Sequence, residues 1–189
     1  MTVLWLIRHG QTDWNVEGRY QGQADLPLNE AGILQAESAA AQVARLPVAA
    51  IFASDLVRAH RTAEIIAARL GLPVQEDARL REINQGEWEG LLVSEIASRY
   101  AGQIGRFRAN PMTARAPGGE TVAEVASRLA SAANEISRRY AGQQVLIVSH
   151  GLALATLIAR ARKVPLDQVY ALIPENAVPH CIEWPSGVE

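Results

Sequence analysis

The chain has 189 residues, 49% of them hydrophobic and 20% charged, with a formal net charge of -2. That length suits one core-forming domain and excludes a large multi-domain machine, while the near-neutral charge and ordinary composition point to neither a nucleic-acid nor a membrane partner. The single cysteine, Cys181, excludes an internal disulfide, and no Cys/His cluster has the spacing of a structural zinc site, so a reducing, cytoplasmic setting is expected.

Val3 to Ile7 is a short apolar run of strand formers, too short and wrongly flanked for a secretory leader. No later run approaches membrane-spanning length, so the chain is expected to act as synthesised. Glu30 to Leu46 carries apolar residues at three- and four-residue intervals and predicts a helix. Ile51-Phe-Ala53 is a candidate second strand, followed by a helix over Asp55 to Leu70 that Gly71 and Pro73 close. From Gln85 to Gly119 the pattern breaks, with Gly86, Gly90, Gly102, Gly105, Pro111, Pro117, Gly118 and Gly119 punctuating a short helical segment near Leu91 to Tyr100. A third long helix spans Thr121 to Tyr140, opened by Thr121-Val-Ala-Glu124 in the form of a capping box. Val145 to Val148 reads as another buried parallel strand, and Val169 to Ile173 and Val178 to Trp184 as added edge strands. This alternation predicts a three-layer α/β/α fold with a mostly parallel central sheet, one domain over 1–189 carrying a short lid insertion at about 85–119.

Two of the four histidines, His9 and His150, lie just past predicted strands and directly precede glycines. Ligands of open parallel sheets bind beyond the carboxyl ends of the strands, so the two rings can converge on one pocket, and Gly10 and Gly151 let the backbone come close to a ligand. One such histidine would read as structural; two in matching contexts do not. His60, inside a helix, reads as a solvated residue, and His180 as local packing. Arg8 adjoins His9, and Arg58 sits at the start of a helix, where a cation opposes the helix dipole. An anion in front of that helix would explain the placement, and guanidinium groups suit phosphate.

In combination, these segments resemble the histidine phosphatase superfamily, the group that contains cofactor-dependent phosphoglycerate mutase. The matches are Leu6-Ile-Arg-His-Gly-Gln-Thr-Asp-Trp-Asn15, Gly22-Gln-Ala-Asp-Leu-Pro-Leu-Asn-Glu-Ala-Gly32, Ser54-Asp-Leu-Val-Arg-Ala-His-Arg-Thr-Ala63, Leu80-Arg-Glu-Ile-Asn-Gln-Gly-Glu-Trp-Glu-Gly90, Pro117-Gly-Gly-Glu-Thr121 and Val148-Ser-His-Gly151. The resemblance implies that His9 attacks phosphorus while Arg8, Arg58 and His150 hold the phosphate oxygens. It further implies that Asn15 and Gln21 offer neutral hydrogen bonds, that Gly22 and Gly151 allow close approach, and that Glu82 supplies the leaving-group proton. Asn15 equally suits a turn cap. His9 has to be neutral and His150 is more useful charged, so the site is expected to push the two imidazole pKa values apart.

No P-loop, no Gly-x-Gly-x-x-Gly after a strand and no carboxylate cluster is present, so neither a metal nor a cofactor is expected. The expected partner is a small phosphorylated metabolite, and a homodimer is left open. The short lid, without a basic mutase-type insertion, favours a phosphatase, resembling both broad-specificity and alpha-ribazole phosphatases; mutase-type transfer is the alternative. Trp88, Leu91, Leu92, Ile104, Phe107 and Met112 are candidates for contact with a nonpolar leaving group, and Arg106 and Arg108 for a second anion, with packing and a solvated loop as the plainer readings. Two other classes fare worse. A serine hydrolase using Ser149 lacks the first glycine of Gly-x-Ser-x-Gly, and a silent phosphate-binding module has no need of His9, His150 and Glu82 together.

Overall fold

The computed structural model describes residues 1–110 and 112–186, apart from the Arg108 side chain. Arg108 as an anion contact, and Pro111 as a chain break, therefore lie outside the described part. Five strands form a mixed, mostly parallel sheet: β1 (Thr2–Arg8), β2 (Val48–Ala53), β3 (Val74–Glu76), β4 (Gln144–Ser149) and β5 (Pro179–Trp184), in the order β3-β2-β4-β1-β5. Only β5 runs antiparallel, against β1.

Strands buried on both faces need apolar side chains on both, and so read as continuous apolar runs. In β1, Leu4 and Leu6 face one layer and Ile7 the other; Ile147 and Val148 divide the same way in β4. On one side lie α2 (Glu30–Val43) and α3 (Val57–Leu70), packed through Ala39, Val43, Ala63 and Ile66. The opposite side holds α6 (Val122–Arg139) and α7 (Gly151–Ala161), packed through Val125, Leu129, Leu154 and Leu157. The capping box is present: the Thr121 hydroxyl accepts from the Glu124 N–H at 3.1 Å, and the Glu124 carboxylate accepts from the Thr121 N–H at 2.8 Å.

Some boundaries differ from expectation, for local reasons. The second helix stops at Val43, and Leu46 precedes Pro47, whose ring disfavours helical geometry in the residue before it. The third begins at Val57 because Leu56 is extended and Asp55 is held aside by the Arg81 guanidinium. Val169 to Ile173 is no strand: it falls in a 3-10 helix over Leu166–Leu172, entered through Pro165, with Val169 fully buried. The segment from Gln85 to Gly119 holds two short helices, α4 (Val93–Arg99) and α5 (Gln103–Ala109), and is anchored by Trp88, which packs against Tyr20, Tyr100 and Phe107. A short α1 (Asp13–Glu17) follows the first strand. No helix among the described residues is long and apolar enough to cross a membrane.

The register between β1 and β4 is what positions the site. Val3 pairs with Gln144 and Arg8 with Ser149, so the two strands finish level, and the next residues, His9 and His150, emerge side by side.

Candidate active site

The His9 and His150 rings lie 5.1 Å apart, centroid to centroid, at 60°. The His9 backbone is fixed on both sides: its N–H donates to the Ser149 carbonyl at 2.9 Å, and its carbonyl accepts from the Asn176 amide at 2.7 Å. Its ring is fixed too. Nε2 lies 3.3 Å from the Nε of Arg58, a group that can only donate, so Nε2 carries the lone pair. Nδ1 is then the protonated nitrogen and donates to the Gly10 carbonyl at 2.7 Å. Burial, then the Arg58 and Arg8 charges, hold the His9 pKa well below the ordinary histidine value. The outcome is a neutral imidazole with an available lone pair on Nε2.

Arg58 is fully buried. Beside its bond to His9, it donates to the carbonyls of Ala24 at 2.7 Å and Gly22 at 2.8 Å. Burial lowers its pKa to about 10, against the opposing pull of Glu82, Asp25 and Glu89, so it remains charged at neutral pH. The expected anion in front of α3 is corrected by the structure: an Asp25 carboxylate oxygen accepts from the Val57 N–H at 2.7 Å, so a side chain of the chain itself takes that place. Arg8 donates through one terminal nitrogen to the Pro174 carbonyl at 3.1 Å, while its Nε is buried without a hydrogen-bond partner. A buried donor left unpaired costs on the order of 1–3 kcal/mol, a cost that an anion at this position would relieve.

His150 departs from expectation. Its Nε2 pairs with the Ser54 hydroxyl at 2.9 Å, and Nδ1 is buried without a partner. Burial, then the charges of Arg58 and the neighbouring groups, lower its pKa in the same direction as that of His9. The protein alone therefore lowers the His150 pKa rather than raising it, because both rings share one buried, arginine-rich surrounding. Ser149 has no nucleophilic setting: it is buried and donates to the Leu80 carbonyl at 2.6 Å, and His150 faces Ser54 instead.

Glu82 stands at the N-terminus of α7, where backbone N–H groups lack helical partners. One oxygen accepts from Ile83 at 2.9 Å and Ala153 at 3.0 Å, the other from Leu152 at 3.1 Å. Asn15 does cap a turn, its side-chain oxygen accepting from the Thr12 N–H at 3.1 Å, which leaves its NH2 as the group for the cavity. Gln21 is oriented likewise, its oxygen accepting from the Thr12 hydroxyl at 3.0 Å. At Gly22, φ is 54°, and a Cβ would sit 2.2 Å from a Glu89 carboxylate oxygen. At Gly151 a Cβ would sit 3.3 Å from the Arg8 Nε, so glycine there makes room for the guanidinium.

Arg8, His9, Asn15, Gln21, Gly22, Arg58, Glu82 and Gly151 line one cavity of about 520 Å³, with His150 against His9 behind it. Of the apolar residues considered in the lid, Phe107 lines it. Trp88 instead belongs to the core, Leu91 and Ile104 pack against it, and Met112 is exposed. His60 faces Glu64 and Glu76 on the surface, away from the cavity.

Four supporting residues carry no role in the sequence analysis, although Thr12, Asp25 and Glu89 lie within its matched segments and only Arg128 lies outside them. Buried Thr12 orients Asn15 and Gln21, and Asp25 caps α3. Glu89 accepts from the Gln23 N–H at 2.7 Å and so fixes the turn whose carbonyls hold Arg58. Arg128 donates to the backbone carbonyls of Arg79 and Glu82 at 2.8 Å each, clamping the segment that presents Glu82. Among the described residues no group of three or more His, Cys, Asp or Glu side chains could hold a metal ion.

The chain is similar to "Probable phosphoglycerate mutase GpmB" of Salmonella choleraesuis, 36% identical over 165 residues that cover 87% of this chain and 77% of that protein. It is also similar to "Phosphoserine phosphatase 1" of Hydrogenobacter thermophilus, at 33% identity over 94% of this chain and 84% of that one. The solved structure of Bacillus stearothermophilus YhfR superposes with a TM-score of 0.89 at 37% identity, covering 97% of this chain and 91% of that one. The model of the histidine phosphatase superfamily (branch 1) matches residues 4–188. With that match over nearly its whole length, the chain belongs to the histidine phosphatase superfamily, branch 1.

Proposed function

We propose that the chain is a metal-independent phosphomonoester hydrolase that acts through a phosphohistidine on His9. The observation that carries this reading is the ring of His9: neutral, pinned through Nδ1, with the Nε2 lone pair at a cavity that holds two guanidinium groups. Phosphoryl transfer asks for an in-line nucleophile and fixed positive donors around three oxygens, and imidazole is a nucleophile at neutral pH without metal activation. Nε2 attacks phosphorus, the P–O ester bond breaks as the P–N bond forms, and Glu82 gives the leaving oxygen its proton. A water molecule then attacks the phosphohistidine, passes a proton to the Glu82 carboxylate, and releases inorganic phosphate as the P–N bond breaks.

Arg58 exchanges its contact with Nε2 for a phosphate oxygen, and the unpaired Nε of Arg8 gains one. Asn15 and Gln21 add neutral donors. His150 becomes the charged donor only when the phosphate dianion arrives, since that charge opposes the arginines that depress its pKa. Phosphoglycerate mutase-type transfer uses the same steps with a re-bound product in place of water, and the similarity to the probable mutase of Salmonella favours testing it.

The test is a panel of phosphomonoesters, beside a mutase assay, comparing wild type with His9→Ala in the presence of EDTA. Phosphate release that EDTA spares and His9→Ala abolishes supports hydrolysis through His9. Release that chelation abolishes, or isomerisation without release, contradicts it.

A further inference from the structure

In the free protein two contacts hold the tautomer of His9: Nδ1–H donates to the Gly10 carbonyl, and Arg58 donates to Nε2. Once Arg58 has left Nε2 for a phosphate oxygen, the Gly10 carbonyl is what keeps the proton on Nδ1 and the lone pair on Nε2. Whatever fixes that carbonyl therefore aims the nucleophile. Glycine does not fix it by itself, because backbone without a Cβ turns freely. The Gly10–Gln11 peptide is trans and planar, so its C=O and N–H point in opposite directions, and orienting one orients the other.

The Gln11 N–H donates to the side-chain oxygen of Gln35 at 2.8 Å. Gln35 is half-buried on α2, on the same helix face as Gly32 three residues earlier. Gly32 lets that face close on the loop: a Cβ there would sit 2.1 Å from the Gln11 carbonyl oxygen, and one on Gly10 would sit 2.3 Å from the Gly32 carbonyl oxygen. Asn29, at the start of α2, holds the rest of Gln11. Its backbone N–H donates to the Gln11 carbonyl at 3.0 Å and its side-chain NH2 to the Gln11 side-chain oxygen at 3.1 Å. The preceding peptide is held separately, its carbonyl by Asn176 and its Gly10 N–H by the Thr62 hydroxyl at 3.1 Å. Gln35 is not among the residues that line the cavity.

We infer that Gln35 is a positioning residue for the nucleophile: by holding the Gln11 N–H it aims the Gly10 carbonyl at Nδ1 and keeps His9 in the attacking tautomer after Arg58 has turned to phosphate. This rests on the hydrolase reading above. Gln35 touches neither the substrate nor the reacting atoms, so its loss should slow the chemical step and spare phosphate binding.

The test compares Gln35→Leu, which removes the acceptor but keeps a strong helix former, with Gln35→Glu, which keeps an acceptor oxygen at similar reach. In Gln35→Leu, single-turnover release of 4-nitrophenolate from 4-nitrophenyl phosphate should slow about ten- to a hundredfold. The inhibition constant of inorganic phosphate should stay within about twofold, and Gln35→Glu should recover the rate to within about threefold of wild type. With inorganic phosphate bound, 15N spectra should show one protonated and one unprotonated ring nitrogen at His9 in wild type and Gln35→Glu, and averaging of the two in Gln35→Leu. Either a Gln35→Leu rate within about threefold of wild type or unchanged ring nitrogens, with His9→Ala inactive, would overturn this inference and leave the hydrolase reading intact. An equal loss in Gln35→Glu, or a rise in the phosphate inhibition constant that matches the loss of rate, would overturn it as well, since general disruption of the loop predicts both. Should Gln35→Leu not fold, Gln35→Asn, which keeps the amide but falls one methylene short of Gln11, carries the same expectations. A wild type that turns over no ester would overturn both readings.

Discussion

Acidification from about pH 7.5 to about pH 5.5 is expected to cost this protein on the order of 2 kcal/mol of stability, through two histidines alone. His9 is 3% exposed and His150 fully buried, and both are held neutral with pKa values well below the ordinary value. In the unfolded chain each titrates near about 6.5. Below that pH the unfolded state binds protons that the folded state refuses, so stability is fully present above about pH 6.5 and is lost as pH falls towards the folded pKa values. Each histidine favours the unfolded state by on the order of 1 kcal/mol at about pH 5.5 and hardly at all at about pH 7.5. Carboxylates do not confuse this window: Asp55, depressed by its hydrogen bonds to Arg81, withdraws its own stabilisation only below about pH 4. Urea unfolding followed by tryptophan fluorescence at the two pH values measures the loss, and His9→Asn or His150→Asn should each remove about half of it. A wild-type protein with the same stability at both pH values, or a double variant with undiminished pH dependence, would refute the assignment of both rings as buried and neutral.

Arg58→Lys keeps the charge but cannot reproduce the planar donation to His9, Gly22 and Ala24, and should lower kcat by about a hundred- to a thousand-fold. Steady-state kinetics within about threefold of wild type would contradict that role. Glu82→Gln should slow esters with poor leaving groups by about a hundredfold or more while sparing a 4-nitrophenyl ester. Because the same carboxylate accepts three backbone N–H bonds at the start of α7, this variant should also lose roughly 1–2 kcal/mol of stability. Only the leaving-group dependence separates proton donation from that structural share, and equal slowing of both esters would argue against Glu82 as the acid.

Much of this architecture is legible in the sequence because buried parallel strands write themselves as unbroken apolar runs. Val3 to Ile7 and Val145 to Val148 are such runs, and each is followed by a histidine and a glycine. Given level strand ends, the meeting of His9 and His150 follows. The helix α7 is harder to read, since Leu152 to Ala159 is buried on every side and shows no amphipathic stripe. Val169 to Ile173 misled for a related reason: a β-branched, aromatic stretch resembles a strand until Pro165 and tertiary packing turn it into a 3-10 helix. Apart from the local cap between Thr12 and Asn15, the supporting contacts leave no local trace. Arg128 reaches back to the backbone at Glu82, and Asp25 reaches forward to α3, across spans that no short motif encodes. The state of His150 was hidden likewise, because its charge depends on burial and on three arginines gathered from distant parts of the chain.

The claim that His9 Nε2 is the nucleophile is tested most directly by trapping the intermediate. Rapid mixing with a radiolabelled phosphomonoester, followed by quenching, should yield a phosphoenzyme that is labile in acid and stable in base. Its label should map to the peptide that contains His9 and be absent from His9→Ala. Label on any other residue, or none across a full series of quench times during active turnover, would contradict the account.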